Sequence, residues 1–126
     1  MKILFLLAFI ISINSYSQNN LNKTLIGKWK FVAESGKNGS AKIFTNEIKN
    51  GETLIFESKS KLQNENGDKG TYKINGNKLK INIAKKERFY LMFFDEINPN
   101  KIYLNPVTSK YEIICDEGCS FTYIKL

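Results

Sequence analysis

The segment GTYKINGNKLKINI, residues 70–83, constrains the fold of this chain more than any other stretch. Apolar side chains alternate with lysine and asparagine at a period of two on either side of an Asn-Gly pair. Period two is the repeat of a strand with one buried face, and Asn-Gly supplies the positive φ that two-residue hairpin turns require. A turn at Asn75-Gly76 sets Ile74 opposite Asn77, Tyr72 opposite Leu79 and Gly70 opposite Ile81. Tyr72, Ile74, Leu79, Ile81 and Ile83 then share a face, with Lys73, Lys78, Lys80 and Asn82 turned outward. Turn chemistry and apolar pattern agree, so antiparallel sheet is expected here, with a face that must be covered.

The same period recurs along the chain. Trp29, Phe31 and Ala33 fall on one face of a strand that starts at Gly27, and Lys28 and Lys30 fall on the other. Residues 43–49 read as a strand entering a turn at Asn50-Gly51. That turn sets Leu54 opposite Glu47 and leaves the apolar faces out of register, so a lid-like loop over one end of the fold is the alternative. Leu54 and Phe56 share a face. RFYLMFFD, residues 88–95, is apolar on both sides: Phe89, Leu91 and Phe93 are assigned inward, Tyr90, Met92 and Phe94 outward. KIYLN, residues 101–105, is a further strand. YEIIC and CSFTYIKL flank Asp116-Glu117-Gly118, a three-residue loop that pairs Cys115 with Cys119, Ile113 with Phe121 and Tyr111 with Tyr123. About eight or nine short strands with hairpin-length turns predict an all-β antiparallel up-and-down meander. Closing it into a barrel removes the two open edges, which favours a barrel over a sandwich.

The first residues, MKILFLLAFIISINSYSQ, have the layout of a secretory signal: Lys2, an apolar run over residues 3–13, and Ser15-Tyr16-Ser17 before a cut. The run is short for a bilayer span, which needs about 20 apolar residues. Residues 1–17 are therefore expected to be a signal peptide and residues 18–126 one exported domain, periplasmic or secreted. A chain of this length buries about 65% of its unfolded surface, enough for a single core. The formal net charge is +7, and Arg88 is the lone arginine among the cationic residues. Nucleic-acid readers use arginine forks and clustered patches, whereas these lysines sit in turns and outward strand positions. In an oxidising compartment Cys115 and Cys119 read as a disulfide staple that contributes roughly 2 kcal/mol.

GKW, residues 27–29, resembles the Gly-x-Trp signature of lipocalins. The run LIFESKSKLQNENGDKGTYKINGNKLKI, followed by KIYL and a final FTYIKL, is similar to small lipocalin-like domains exported by Bacteroidota, within the calycin superfamily. The resemblance implies that Trp29 closes one end of the barrel and that a basic side chain near the chain end packs across it. Lys125 matches that position, although lipocalins usually place arginine there. Strand parity points to the same pairing, because a last strand running antiparallel beside the first brings Lys125 near Gly27 and Trp29. The chain is shorter than a full lipocalin.

Histidine is absent, which removes Ser-His-Asp and Cys-His schemes and the commonest metal ligand. Asp95-Glu96 and Asp116-Glu117 are neighbours beside turns rather than acids converging across a cleft. NENGD, residues 64–68, lacks the carboxylate count of a calcium loop. No catalytic residue, metal site or cofactor is expected. The candidate ligand-lining set is Phe31, Phe56, Tyr72, Phe89, Leu91, Phe93, Tyr111, Phe121 and Tyr123. It suits a small apolar or amphipathic molecule held in the barrel without catalysis. The alternative is a ligand-free scaffold that meets a protein partner, or a second copy, through Tyr90, Met92 and Phe94.

Overall fold

The computed structural model describes residues 25–37, 43–114 and 119–126. The signal-peptide expectation for residues 1–17, the turn at residues 116–118 and Cys115 lie outside these. Nine strands are described: β1 (Gly27–Lys37), β2 (Ile43–Glu47), β3 (Thr53–Phe56), β4 (Lys61–Asn64), β5 (Lys69–Asn75), β6 (Lys78–Ile83), β7 (Lys86–Phe94), β8 (Lys101–Val107) and β9 (Cys119–Lys125). Strands β3 to β9 pair in sequence order, and β1 joins β3 to β9, so eight strands close an antiparallel up-and-down barrel with β2 as an extra strand. This is the fold class expected, and its architecture is consistent with a calycin-like barrel. Among the described residues no helix is long and apolar enough to cross a membrane.

Closure runs along β1 and β9: Trp29 lies opposite Lys125, Phe31 opposite Tyr123 and Ser35 opposite Ser120. A bulge at Val32, between Phe31 and Ala33, breaks the register and bends the strand. The other edge of β1 is shared. Lys28 and Trp29 pair with Ile55 and Leu54 of β3, while Ala33 to Lys37 pair with β2. Strands β2 and β3 thus run in one direction along the same edge of β1, and Asn50-Gly51 does not close a hairpin between them. A β-carbon at Gly51 would sit 2.0 Å from the Phe31 carbonyl oxygen. The glycine is needed for close backbone approach, not for reversal.

The β5–β6 hairpin keeps the expected faces, but its turn lies one residue later, which shifts every cross-strand partner by two. Gly76 and Asn77 form its turn, with φ of 62° at Gly76, and Ile74 meets Leu79, Tyr72 meets Ile81 and Gly70 meets Ile83. A shift of two conserves parity, so every side chain stays on its predicted side.

Strand β7 is inverted relative to the sequence reading. The turn at Ala84-Lys85 sets Ile83 opposite Lys86, Ile81 opposite Arg88 and Leu79 opposite Tyr90. Tyr90 and Met92 are buried and Phe94 packs against the core, so these three form no outward partner surface. Phe89, Leu91 and Phe93 face out instead. The proposed strand at residues 111–115 is also absent from the described part: Tyr111 has φ of 62°, and a single bridge joins Val107 to Ile113. Strand β9 pairs directly with β8, Ile102 opposite Tyr123 and Leu104 opposite Phe121, so the pairings of Tyr111 with Tyr123 and Ile113 with Phe121 do not occur.

The barrel axis is filled. Trp29, Leu54, Leu79, Ile81, Ile102 and Leu104 have no exposed surface, and Phe56, Leu62, Ile83 and Tyr123 have 2% or less. At one end Trp29 Nε1 donates to the Leu25 carbonyl at 2.7 Å, and Lys125 Nζ stands 5.7 Å from the indole centroid. Gly27 has φ of 144°, and a β-carbon there would lie 2.5 Å from Lys125 Cε. The structure therefore brings Gly27, Trp29 and Lys125 together: the lysine stem crosses the strand start, where the φ of 144° favours glycine.

Candidate functional site

Two places on this frame carry more than packing. The first is a polar cluster inside the barrel, beside the stacked Phe31–Tyr123 pair. Glu52 Oε1 accepts from Arg88 Nη1 at 2.6 Å and from Tyr123 Oη at 2.7 Å. Glu52 directly precedes β3, and its partners come from β7 and β9, so one carboxylate links these elements across the lumen. Burial tends to lower the Arg88 pKa, but the hydrogen bond and charge of Glu52 outweigh it and hold the guanidinium charged. Burial first, then the Glu52 carboxylate, pushes the Tyr123 phenol well above the usual tyrosine range. Burial also raises Tyr90, with a hydrogen bond to Arg88 pulling the other way. The cluster is internally satisfied: each charge already has its partner.

The second place is a trough of about 450 Å³ on the outer face. It forms because small residues align across neighbouring strands. Ser35 of β1 lies opposite Ser120 of β9, and Asn105 of β8 lies opposite Leu91 of β7. Ser35, Gly36, Asn105 and Ser120 make a low floor, with Leu91, Phe93, Val107, Ile43 and Ile113 as apolar walls. Its volume falls within the range of small-molecule sites, about 300–1,000 Å³. Phe93 is 42% exposed, Ile43 70% and Ile113 72%, so apolar surface is continuous from the walls to the rim. Beneath this surface Asn105 Oδ1 is buried and has no hydrogen-bond partner among the described residues.

The predicted lining residues divide three ways. Phe31, Phe56, Tyr72, Phe121 and Tyr123 belong to or pack against the core, with Phe31 stacked on Tyr123 at 5.3 Å and Phe56 edge-on to Tyr72 at 4.9 Å. Leu91 and Phe93 line the trough. Phe89 and Tyr111 form an outer pair 5.7 Å apart, with Lys80 over the Phe89 ring and Lys78 over the Tyr111 ring. Sequence reasoning missed Glu52, Arg88 and Asn105. Arg88 had a signal, being the single arginine in a lysine-rich chain, and an arginine retained alone suits a forked carboxylate partner. Asn105 had none.

No protein-family model matches this chain, and no curated protein does either. What supports the lipocalin likeness is the closed antiparallel barrel.

Of the turn acids, Asp95 is occupied locally. Asp95 accepts from the Tyr103 hydroxyl at 2.6 Å and from the amides of Ile97 and Asn98, which holds its carboxyl below the usual aspartate range. Asn64 Oδ1 accepts from the amides of Asn66 and Asp68, closing the NENGD turn on itself. Cys119 opens β9, and its expected partner Cys115 lies outside the described residues.

Proposed function

We propose that the chain is an exported, non-catalytic binder of a small apolar or amphipathic molecule, with the outer trough as its site. The observation that carries this reading is a concave, apolar-walled volume of about 450 Å³ beside a lumen already filled by side chains. Binding proceeds by apolar burial and release without bond making. Export follows from the amino-terminal leader, and an oxidising destination favours a disulfide between Cys115 and Cys119. Thiol titration of the denatured protein checks that bond.

The test is dye displacement. Anilinonaphthalene sulfonate is expected to fluoresce on the protein and to be displaced by decanol, and Leu91→Lys, a change on the outer wall, to weaken both by tenfold or more. Undiminished binding by Leu91→Lys refutes the trough as the site. A second reading, a protein-interaction module, is favoured by β2, whose five residues are all exposed and which among the described residues pairs along one edge only. It predicts no displacement by any lipid, and a smaller assembly on a sizing column when Thr45→Pro blocks that edge.

A further inference from the structure

We propose that the outer face of the β5–β6 hairpin, with the apolar side chains beside it, docks on a lipid bilayer that carries anionic headgroups. This stands apart from what the trough binds. Residues 69–86 hold six lysines and no acidic residue. Tyr72, Leu79 and Ile81 are buried in the core, so strand alternation turns Lys69, Lys73, Lys78 and Lys80 outward together. Lys73 lies directly opposite Lys80, a like-charge pair that costs the sheet stability. Lys80 also meets Glu87 at 3.5 Å, which leaves the face strongly cationic. Headgroup phosphates offset that repulsion. Beside the lysines the same outer surface turns apolar. On β7, Phe89 pairs with Lys80 and Leu91 with Lys78, and Lys78 Nζ stands 5.1 Å from the Tyr111 ring centroid. Beyond them Phe93 and Ile113 are 42% and 72% exposed. Cations bordering exposed apolar side chains match the two layers of a membrane surface, phosphate and acyl boundary. A nucleic acid matches less well: its readers rely on arginine forks, and the lone arginine, Arg88, is held inside the barrel by Glu52.

Sedimentation of the mature chain, residues 18–126, with vesicles tests the proposal. Vesicles of equal parts phosphatidylcholine and phosphatidylglycerol are expected to bind it at least tenfold more tightly than phosphatidylcholine alone, and less as salt is raised. Lys73→Glu combined with Lys78→Glu is expected to weaken that binding tenfold or more. The first change places a carboxylate opposite Lys80, so the hairpin keeps its fold, and an unaltered dichroism spectrum checks this. Lys28→Glu combined with Lys30→Glu makes the same change in net charge on β1, across the barrel, and is expected to keep most of the binding. Equal losses from the two pairs overturn the docking face, because net charge alone then drives adsorption. For the unaltered protein, equal binding to the two vesicle types, or binding to neither, overturns the anionic bilayer as partner. Retention of duplex DNA in the absence of vesicle binding also overturns it and assigns the lysines to a soluble polyanion.

Discussion

At the residue scale the consequential group is Glu52, whose single oxygen serves both Arg88 and Tyr123. A carboxylate accepting two short bonds in a partly buried setting makes charge-assisted contacts about twice as strong as neutral ones. The pairing has a pH signature. Tyr72, Tyr90 and Tyr123 all have raised pKa values in the folded chain, chiefly through burial. In the unfolded chain a tyrosine ionises near pH 10. A raised folded value means the folded state holds its proton more tightly, so the stabilisation is complete below pH 10 and declines as pH rises above it. Each such tyrosine removes about 1.4 kcal/mol per pH unit in that window. Tyr123→Phe is expected to cost about 1.5–3 kcal/mol at pH 8 through the lost hydrogen bond to a charged group. It is also expected to flatten the alkaline decline by one proton. Urea unfolding at pH 8, 10 and 11 checks both, and equal alkaline slopes for the two proteins contradict the assignment.

At the scale of elements, turn geometry decided more than apolar pattern. The segment RFYLMFFD is apolar on both faces, so pattern alone carries no parity. Parity comes from the preceding turn, where Ala84 and Lys85 adopt φ of 52° and 61°. Such a two-residue turn favours Asn-Gly; Ala-Lys gives no warning that the chain reverses there, which is why Tyr90, Met92 and Phe94 were read outward. The converse error arose at Asn50-Gly51, a strong turn signal used instead for backbone contact with Phe31. In β5 and β6 pattern and turn agree, and a one-residue displacement of the turn, which shifts each partner by two, left every face unchanged. The strained turn makes a specific expectation. A left-handed non-glycine residue costs about 1–2 kcal/mol, and glycine returns some of that as unfolded-state entropy. Lys85→Gly should therefore raise stability by about 0.5–1 kcal/mol, read as a higher urea midpoint with unchanged slope. An unchanged or lower midpoint shows that Lys85 makes compensating contacts.

The whole molecule is defined by one long-range event, the pairing of β1 with β9, and that event was the most legible in the sequence. Trp29 and Lys125 had to share a face and an end once the meander closed, and neither apolar pattern nor turn chemistry opposed it. The trough was not legible, because a concavity on an outer face depends on which small residues align across four strands, and alignment follows from registers rather than from any one segment. Closure also predicts cooperativity. Trp29 is fully buried and lies opposite Lys125 at one end of the β1–β9 ladder, while Ser35 and Ser120 lie toward the other. If the barrel unfolds as a unit, a break in mid-ladder must reach the indole. Thr122 is buried in β9 opposite both Ala33 and Tyr103, and proline there removes a ladder hydrogen bond with no free edge to absorb the loss. Thr122→Pro is expected to abolish the folded state or to lower its stability by about 3 kcal/mol or more. Far-UV circular dichroism and Trp29 fluorescence should move together through the urea transition, for the variant as for the parent. A dichroism change that leaves the indole buried means that the Trp29 end is held without the ladder, and the eight strands are then not one cooperative barrel.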